Sequence, residues 1–205
     1  MTSAAREYGL DDDYEWARPP DGGWIADDLD HLPNLPSHTE LIDGSLVFRC
    51  PRNVFHMRRV RLLEYAILNQ APEHLEALAG MTVKLDRRNR PDPDVIVVQT
   101  EANTGPHQTW YKPEDVVLAV EVVSDDTVER DREVKPRKYA QAGVPHFWRA
   151  EENEDLPVVY AYELDPASRG YALVDIFRKA LRVDLPFPIE IDLTAINRRP
   201  SRRAD

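Results

Sequence analysis

Residues 116–127 read V-V-L-A-V-E-V-V-S-D-D-T. The first eight form the longest apolar run in the chain, yet the carboxylate of Glu121 sits near its end. An unbroken β-branched run is the pattern of a strand covered on both faces, so this segment predicts a buried strand inside a sheet. Burying an ionised carboxylate there without a partner costs on the order of several kcal/mol. A strand end reaching solvent or a basic neighbour relieves that cost. So does a metal ion.

The segments on either side extend the pattern. D-V-I-V-V (94–98) is a second β-branched run, preceded by the strand-like M-T-V-K-L after Gly80. Three more strands are expected at V-P-H-F-W-R (144–149), P-V-V-Y-A-Y-E-L (157–164) and Y-A-L-V-D-I-F (171–177). E-L-I-D-G-S-L-V-F reads as a hairpin turned by Asp43-Gly44, a dipeptide suited to a type I′ turn. Asn53 caps a helix through Gln70, with Met57, Val60, Leu63 and Ile67 as its buried stripe. A second helix ends near Ala142, with Gly143 as the left-handed residue beyond it. Pro136 fixes where that helix begins and leaves Lys135 in its first turn. The order is ββαβββαβββ. It predicts an α/β (α+β) fold: a mixed β-sheet flanked by two main helices, with an N-terminal β-hairpin.

At 205 residues with 42% hydrophobic content, the chain is long enough for one ordinary core. We expect a single domain over residues 23–196, an acidic flexible tail at 1–22 and a basic loose tail at 197–205. The lone Cys50 excludes an intramolecular disulfide framework and a Cys-rich zinc site. No segment reads as a signal peptide or a membrane span, which points to a cytoplasmic protein without a membrane partner. The net charge of −11 argues at first against a polyanionic partner. Residues 1–30, however, hold nine acidic residues against two arginines, a net of −7, which leaves −4 for the remainder. Basic clusters lie within that remainder at Arg58-Arg59-Arg61, Arg87-Arg88-Arg90 and from Arg130 to Lys138.

Candidate chemistry gathers at the ends of the two buried strands. If the strands are neighbours, Asp94 and Glu121 converge, and two carboxylates at close range repel unless a divalent cation lies between them. Oxygen-only ligation suits Mg²⁺ or Mn²⁺. Lys135 follows Glu121 by fourteen residues, with Tyr139 one turn further on the same helix face. A lysine there can orient or help deprotonate a water and neutralise charge on a phosphate. Each residue also has an ordinary reading: strand-end carboxylates, an exposed helix lysine.

Taken together, several pieces carry a resemblance. E-L-I-D-G-S-L-V, a helix with His56, P-D-V-I-V-V, V-E-V-V-S-D-D-T, R-D-R-E-V-K-P-R-K-Y-A-Q-A-G-V-P-H-F-W and P-F-P-I-E-I-D-L occur in this order between residues 25 and 196. They resemble the Uma-two family of restriction endonucleases within the PD-(D/E)XK nuclease superfamily. The resemblance implies a restriction-endonuclease-like core and a Mg²⁺ (or Mn²⁺) site formed by Asp94, Glu121 and the Val122 backbone carbonyl. It implies Lys135 as the third catalytic residue, since Val123 stands where the superfamily pattern has lysine. Glu40, His56, Asp92 and Tyr139 fall at positions flanking the ion, and Asp92 competes with Asp94 for the first ligand place. The implied activity is hydrolysis of DNA phosphodiester bonds. Arg132 or Lys138 could hold the nucleic-acid backbone, and the apolar late strands offer the interface expected of a homodimer that cuts both DNA strands. Two alternatives stay open: a catalytically inactive nuclease-fold binding or assembly module, and a metal-dependent hydrolase of a smaller phosphate ester.

Overall fold

A computed structural model describes Trp16 and residues 18–124, 127–154 and 156–197. Most of the expected acidic tail, nearly all of the basic one and the pair Asp125-Asp126 lie outside the described residues.

After a short 3-10 helix (Ala26–Asp30) comes the hairpin of β1 (Glu40–Ile42) and β2 (Ser45–Val47). Asp43 and Gly44 turn it with φ of 52° and 80°, the double positive φ of a type I′ turn. A side chain at 44 would also meet Arg88 Nη2 at 2.6 Å. Helix α1 (Val54–Leu68) follows, its N-terminus capped where the Asn53 side chain accepts the His56 N–H at 2.7 Å. Next come β3 (Leu75–Ala79), β4 (Thr82–Val83), β5 (Val95–Gln99), β6 (Trp110–Tyr111) and β7 (Val116–Val122). Helix α2 (Lys135–Ala142) then leads into β8 (His146–Asn153), β9 (Leu156–Asp165), β10 (Gly170–Phe177), β11 (Ala180–Val183) and β12 (Ile189–Asp192).

The central sheet has the order β10-β9-β8-β7-β5-β3. It is mixed: β7 and β8 run parallel and the other neighbours antiparallel. A parallel pair needs a crossover, and α2 supplies it. Both faces are covered, as the β-branched runs require. Val95, Val97, Leu118 and Val120 pack with Leu63 and Ile67 of α1. Ile96, Val98 and Ala119 pack on the opposite face with Tyr139 of α2.

Three details differ from the sequence reading. The edge strand beside β5 is L-E-A-L-A, residues 75–79, which expectation missed because alanine, glutamate and leucine favour helix. M-T-V-K-L contributes only the two-residue β4, paired to β6. The inward face of α1 is His56, Arg59, Leu63 and Ile67, while Met57 is 54% exposed. Polar partners explain that rotation: Arg59 reaches Glu152 and His56 lies against Asp94. Ahead of α2, a π-helical turn (Arg130–Val134) widens the ladder just where Pro136 has no N–H to give. Gly143 closes α2 at φ 88°.

Candidate active site

Two carboxylates meet across the centre of the sheet because of its register. Val95 pairs with Val120 and Ile96 with Ala119, so Asp94, one residue before β5, stands opposite Glu121. Its N–H donates to the Val120 carbonyl at 3.0 Å. Side chains alternate along a strand, so Asp94 shares a face with Ile96 and Glu121 shares the same face with Ala119. Asp94 Oδ2 also accepts the N–H of Val122 at 2.7 Å. The Val122 carbonyl lies along the same strand edge, since both polar groups of a strand residue point one way.

Three cations are built in among these acids. Arg49 comes from the segment between β2 and α1. Its guanidinium reaches Glu40 Oε1 at 2.8 Å, Asp94 Oδ1 at 3.2 Å and Glu121 Oε2 at 3.6 Å, and it donates to the Asp92 carbonyl. Lys135 Nζ stands 2.8 Å from Glu40 Oε1, 3.0 Å from Glu121 Oε2 and 3.1 Å from Asp131 Oδ1. Arg52 pairs with Asp94 Oδ1 at 2.7 Å. Glu121 Oε1 accepts from the Tyr139 hydroxyl at 2.6 Å. Glu40, Glu121 and Lys135 are fully buried.

With every carboxyl ionised the charges would not balance. Glu40, Asp92, Asp94, Glu121 and Asp131 are five carboxyls against Arg49, Arg52 and Lys135, with His38 paired to Asp92 and His56 beside Asp94. Burial pushes the Glu121 carboxyl well above the usual range, and Lys135 offsets this only in part while Asp131 and Asp94 add to it. Asp94 is also driven up by burial, but the His56 hydrogen bond and Arg49 bring it below its ordinary value. Glu40 ends below its ordinary value too, as Lys135 and Arg49 outweigh burial. Burial alone would lower the Lys135 ammonium; Glu121, Glu40 and Asp131 overcome that and hold its proton.

The donor set fits a hard divalent cation. The donors are oxygens, and Glu40 Oε2 and Asp92 Oδ1 are buried with no hydrogen-bond partner. Among the described residues no three His, Cys, Asp or Glu side chains form a ready-made metal cage. Mg²⁺ does not require one, because it keeps several waters and takes one or two carboxylates. The cluster opens on a recess of about 270 Å³ lined by Arg49, Arg52, His56, Met57, Asp92 and Asp94.

The structure therefore brings Glu40, His56, Asp92, Asp94, Glu121, Lys135 and Tyr139 to one point. His56 Nε2 is 3.4 Å from Asp94 Oδ1, and Asp92 faces His38 at 2.8 Å. Asp94 rather than Asp92 lies in register with Glu121. Lys135 faces three carboxylates, which favour its ammonium form in the metal-free protein. Arg132 and Lys138 lie outside the cluster, held by Glu151 at 2.5 Å and Asp43 at 2.7 Å. Sequence reasoning missed Arg49, Arg52 and Asp131. The Asp131–Lys135 spacing of four was a usable signal; Arg49 and Arg52 sit in an irregular connection that has none.

No curated protein matches the chain. Among solved structures it is similar to a protein of Anabaena variabilis ATCC 29413 described as "a putative nuclease belonging to DUF820". The TM-score is 0.67 at 14% identity, covering 84% of this chain and 96% of that one. That likeness establishes a shared fold. Residues 26–195 match the Uma2 family, described as "Putative restriction endonuclease", and over that span of its length the chain belongs to this family.

Proposed function

We propose that the protein is a Mg²⁺- or Mn²⁺-dependent endonuclease that hydrolyses DNA phosphodiester bonds. The observation that carries this reading is the opposition of Asp94 and Glu121 within a cluster whose carboxyls outnumber its arginines and lysine by two. Asp94, Glu121 and the Val122 carbonyl would hold the ion. When bound, a divalent ion lowers the pKa of a water and neutralises charge building on a phosphate. The chain's own residues do the rest. Lys135 and Tyr139 fix the Glu121 carboxylate from both oxygens. Arg52, less buried than Arg49, stands beside Asp94 at the recess and can receive a phosphate oxygen.

The test incubates the purified protein with supercoiled plasmid, linear duplex, single-stranded DNA and RNA, each with Mg²⁺, Mn²⁺ or a chelator. Metal-dependent cleavage of DNA that disappears in Asp94→Asn and Glu121→Gln supports the proposal. Equal cleavage by either variant removes it.

One observation favours a second reading, an inactive binding or assembly module: Arg49 and Lys135 already neutralise part of the cluster without any ion. Calorimetric titration with Mn²⁺ separates the two, because this reading requires no heat of binding. The expected homodimer finds support in edge strand β10, where Leu173, Val174 and Ile176 are exposed. Light scattering in solution tests it. No helix among the described residues is long and apolar enough to cross a membrane.

A further inference from the structure

Arg49 is unlike the other cations of the cluster. Its side chain is 4% exposed, yet it arises from residues 48–53, which belong to neither a strand nor a helix. One guanidinium lies within 4.0 Å of the carboxylates of Glu40, Asp92, Asp94 and Glu121. An ordinary ion pair has one partner. Contact with four carboxylates, drawn from β1, the approach to β5 and β7, is the surrounding expected of a site's resident cation.

The fit is nevertheless imperfect. Arg49 Nε is buried without an acceptor, while Glu40 Oε2 and Asp92 Oδ1 are buried without a donor. A guanidinium is a flat fork with five donors in fixed directions. It cannot satisfy oxygens that approach from several sides, whereas a small spherical ion with its waters can. Each unpartnered buried polar group disfavours the present arrangement. Lys135 differs in its backbone: it is fully buried at the start of α2, and its ammonium lies within 3.1 Å of three carboxylates, although Asp131 Oδ1 too lacks a hydrogen-bond partner.

We propose that Arg49 is the exchangeable counter-ion of this cluster. It holds Glu40, Asp94 and Glu121 together in the metal-free protein and withdraws from them when a divalent cation binds. The recess of about 270 Å³ that Arg49 itself lines gives the guanidinium a place to go, and its irregular backbone lets it move without breaking a strand ladder or a helix. The inference rests on the metal site proposed above. It adds that divalent-ion affinity is set by competition with a side chain of this protein, so the native site binds the ion more weakly than its carboxylates would alone.

The experiment titrates Mn²⁺ calorimetrically into the native protein, Arg49→Met and Arg49→Lys, and measures the metal-free melting temperature of each. Expected is a Kd for Arg49→Met lower by roughly tenfold or more, with a lower metal-free melting temperature. Arg49→Lys falls between Arg49→Met and the native protein. Native binding with unchanged or weaker affinity in Arg49→Met overturns the proposal and leaves the metal site standing. Binding by none of the three proteins overturns the metal site itself. A crystal of the native protein soaked in MnCl₂ needs no variant, and it separates exchange from simple charge removal. The guanidinium is expected beyond hydrogen-bonding reach of Glu40 and Glu121. An ion bound beside an unmoved Arg49 overturns the proposal.

Discussion

Lys135 Nζ lies 3.0 Å from Glu121 Oε2, both fully buried, although the two residues are fourteen apart in the chain and belong to different elements. The pair joins α2 to β7 in the interior. Taking one partner away leaves the other charged and dry, which is more damaging than never having had the pair.

Removing the two partners should therefore give unequal results. Lys135→Met exposes Glu40, Glu121 and Asp131 to one another with no cation from α2. Its expected cost is about 3–5 kcal/mol of unfolding free energy, read by urea titration without metal. Glu121→Gln leaves Lys135 with two carboxylates and removes one of the surplus charges. At pH 8 it should be as stable as the native protein or more so. A loss for Glu121→Gln comparable with that for Lys135→Met would show that the pair, not the surplus, governs the interior.

The pH dependence of the metal-free protein follows from opposed shifts. Glu40 and Asp94 titrate below their ordinary values of 4.5 and 3.8. The stability they contribute is present above those values and is lost as pH falls through the lower folded ones. Glu121 titrates well above 4.5, so its contribution is fully present below 4.5 and is lost as pH rises through its folded value. The melting temperature should therefore pass through a maximum between the lowered values of Glu40 and Asp94 and the raised value of Glu121. In Glu121→Gln the alkaline decline should flatten. A melting temperature that keeps rising to pH 8 would contradict the assignment of Glu121.

Much of this arrangement could be read from the residues before any coordinates. The β-branched runs 94–98 and 116–122 announced two strands covered on both faces, and the carboxylates at their ends were candidate ligands on condition that the strands be neighbours. Asp43-Gly44 and Asn53 mark structure through backbone chemistry that is local, so they too were legible. The strand Leu75–Ala79 was not, because its pairing with β5 rather than its composition makes it a strand. Arg49 was hidden for a related reason. Its role depends on four carboxylates that the chain delivers from three distant places, and nothing in R-C-P-R encodes them.

The cap of α1 carries a further prediction because it also places His56. Asn53 accepts the His56 N–H, and the His56 ring lies 3.4 Å from Asp94. Asn53→Ala should lower stability by about 1 kcal/mol. Asn53→Asp keeps an acceptor and should retain that stability. Comparing Mn²⁺ affinity in the same two variants shows whether the cap also matters to the site. The expected result is weaker binding in Asn53→Ala, where the first turn frays, than in Asn53→Asp.

Metal binding should release protons. A carboxyl raised by burial among other acids is partly protonated in the free protein, and ligation demands the ionised form. Asp131 is raised for the same reason, and the two draw on the same ammonium. A divalent ion supplies the charge the cluster lacks, so on binding Glu121 should ionise and Mn²⁺ affinity should climb with pH until the carboxyl is fully ionised. Titrations at one pH in two buffers of different ionisation enthalpy measure the protons released directly. The native protein should release protons on binding below the raised Glu121 value and progressively fewer as pH rises through it. In Glu121→Gln the release should fall, together with the affinity. A proton count near zero at every pH would mean that Glu121 is already ionised in the free protein. The two surplus charges would then be carried by the fold without a cation.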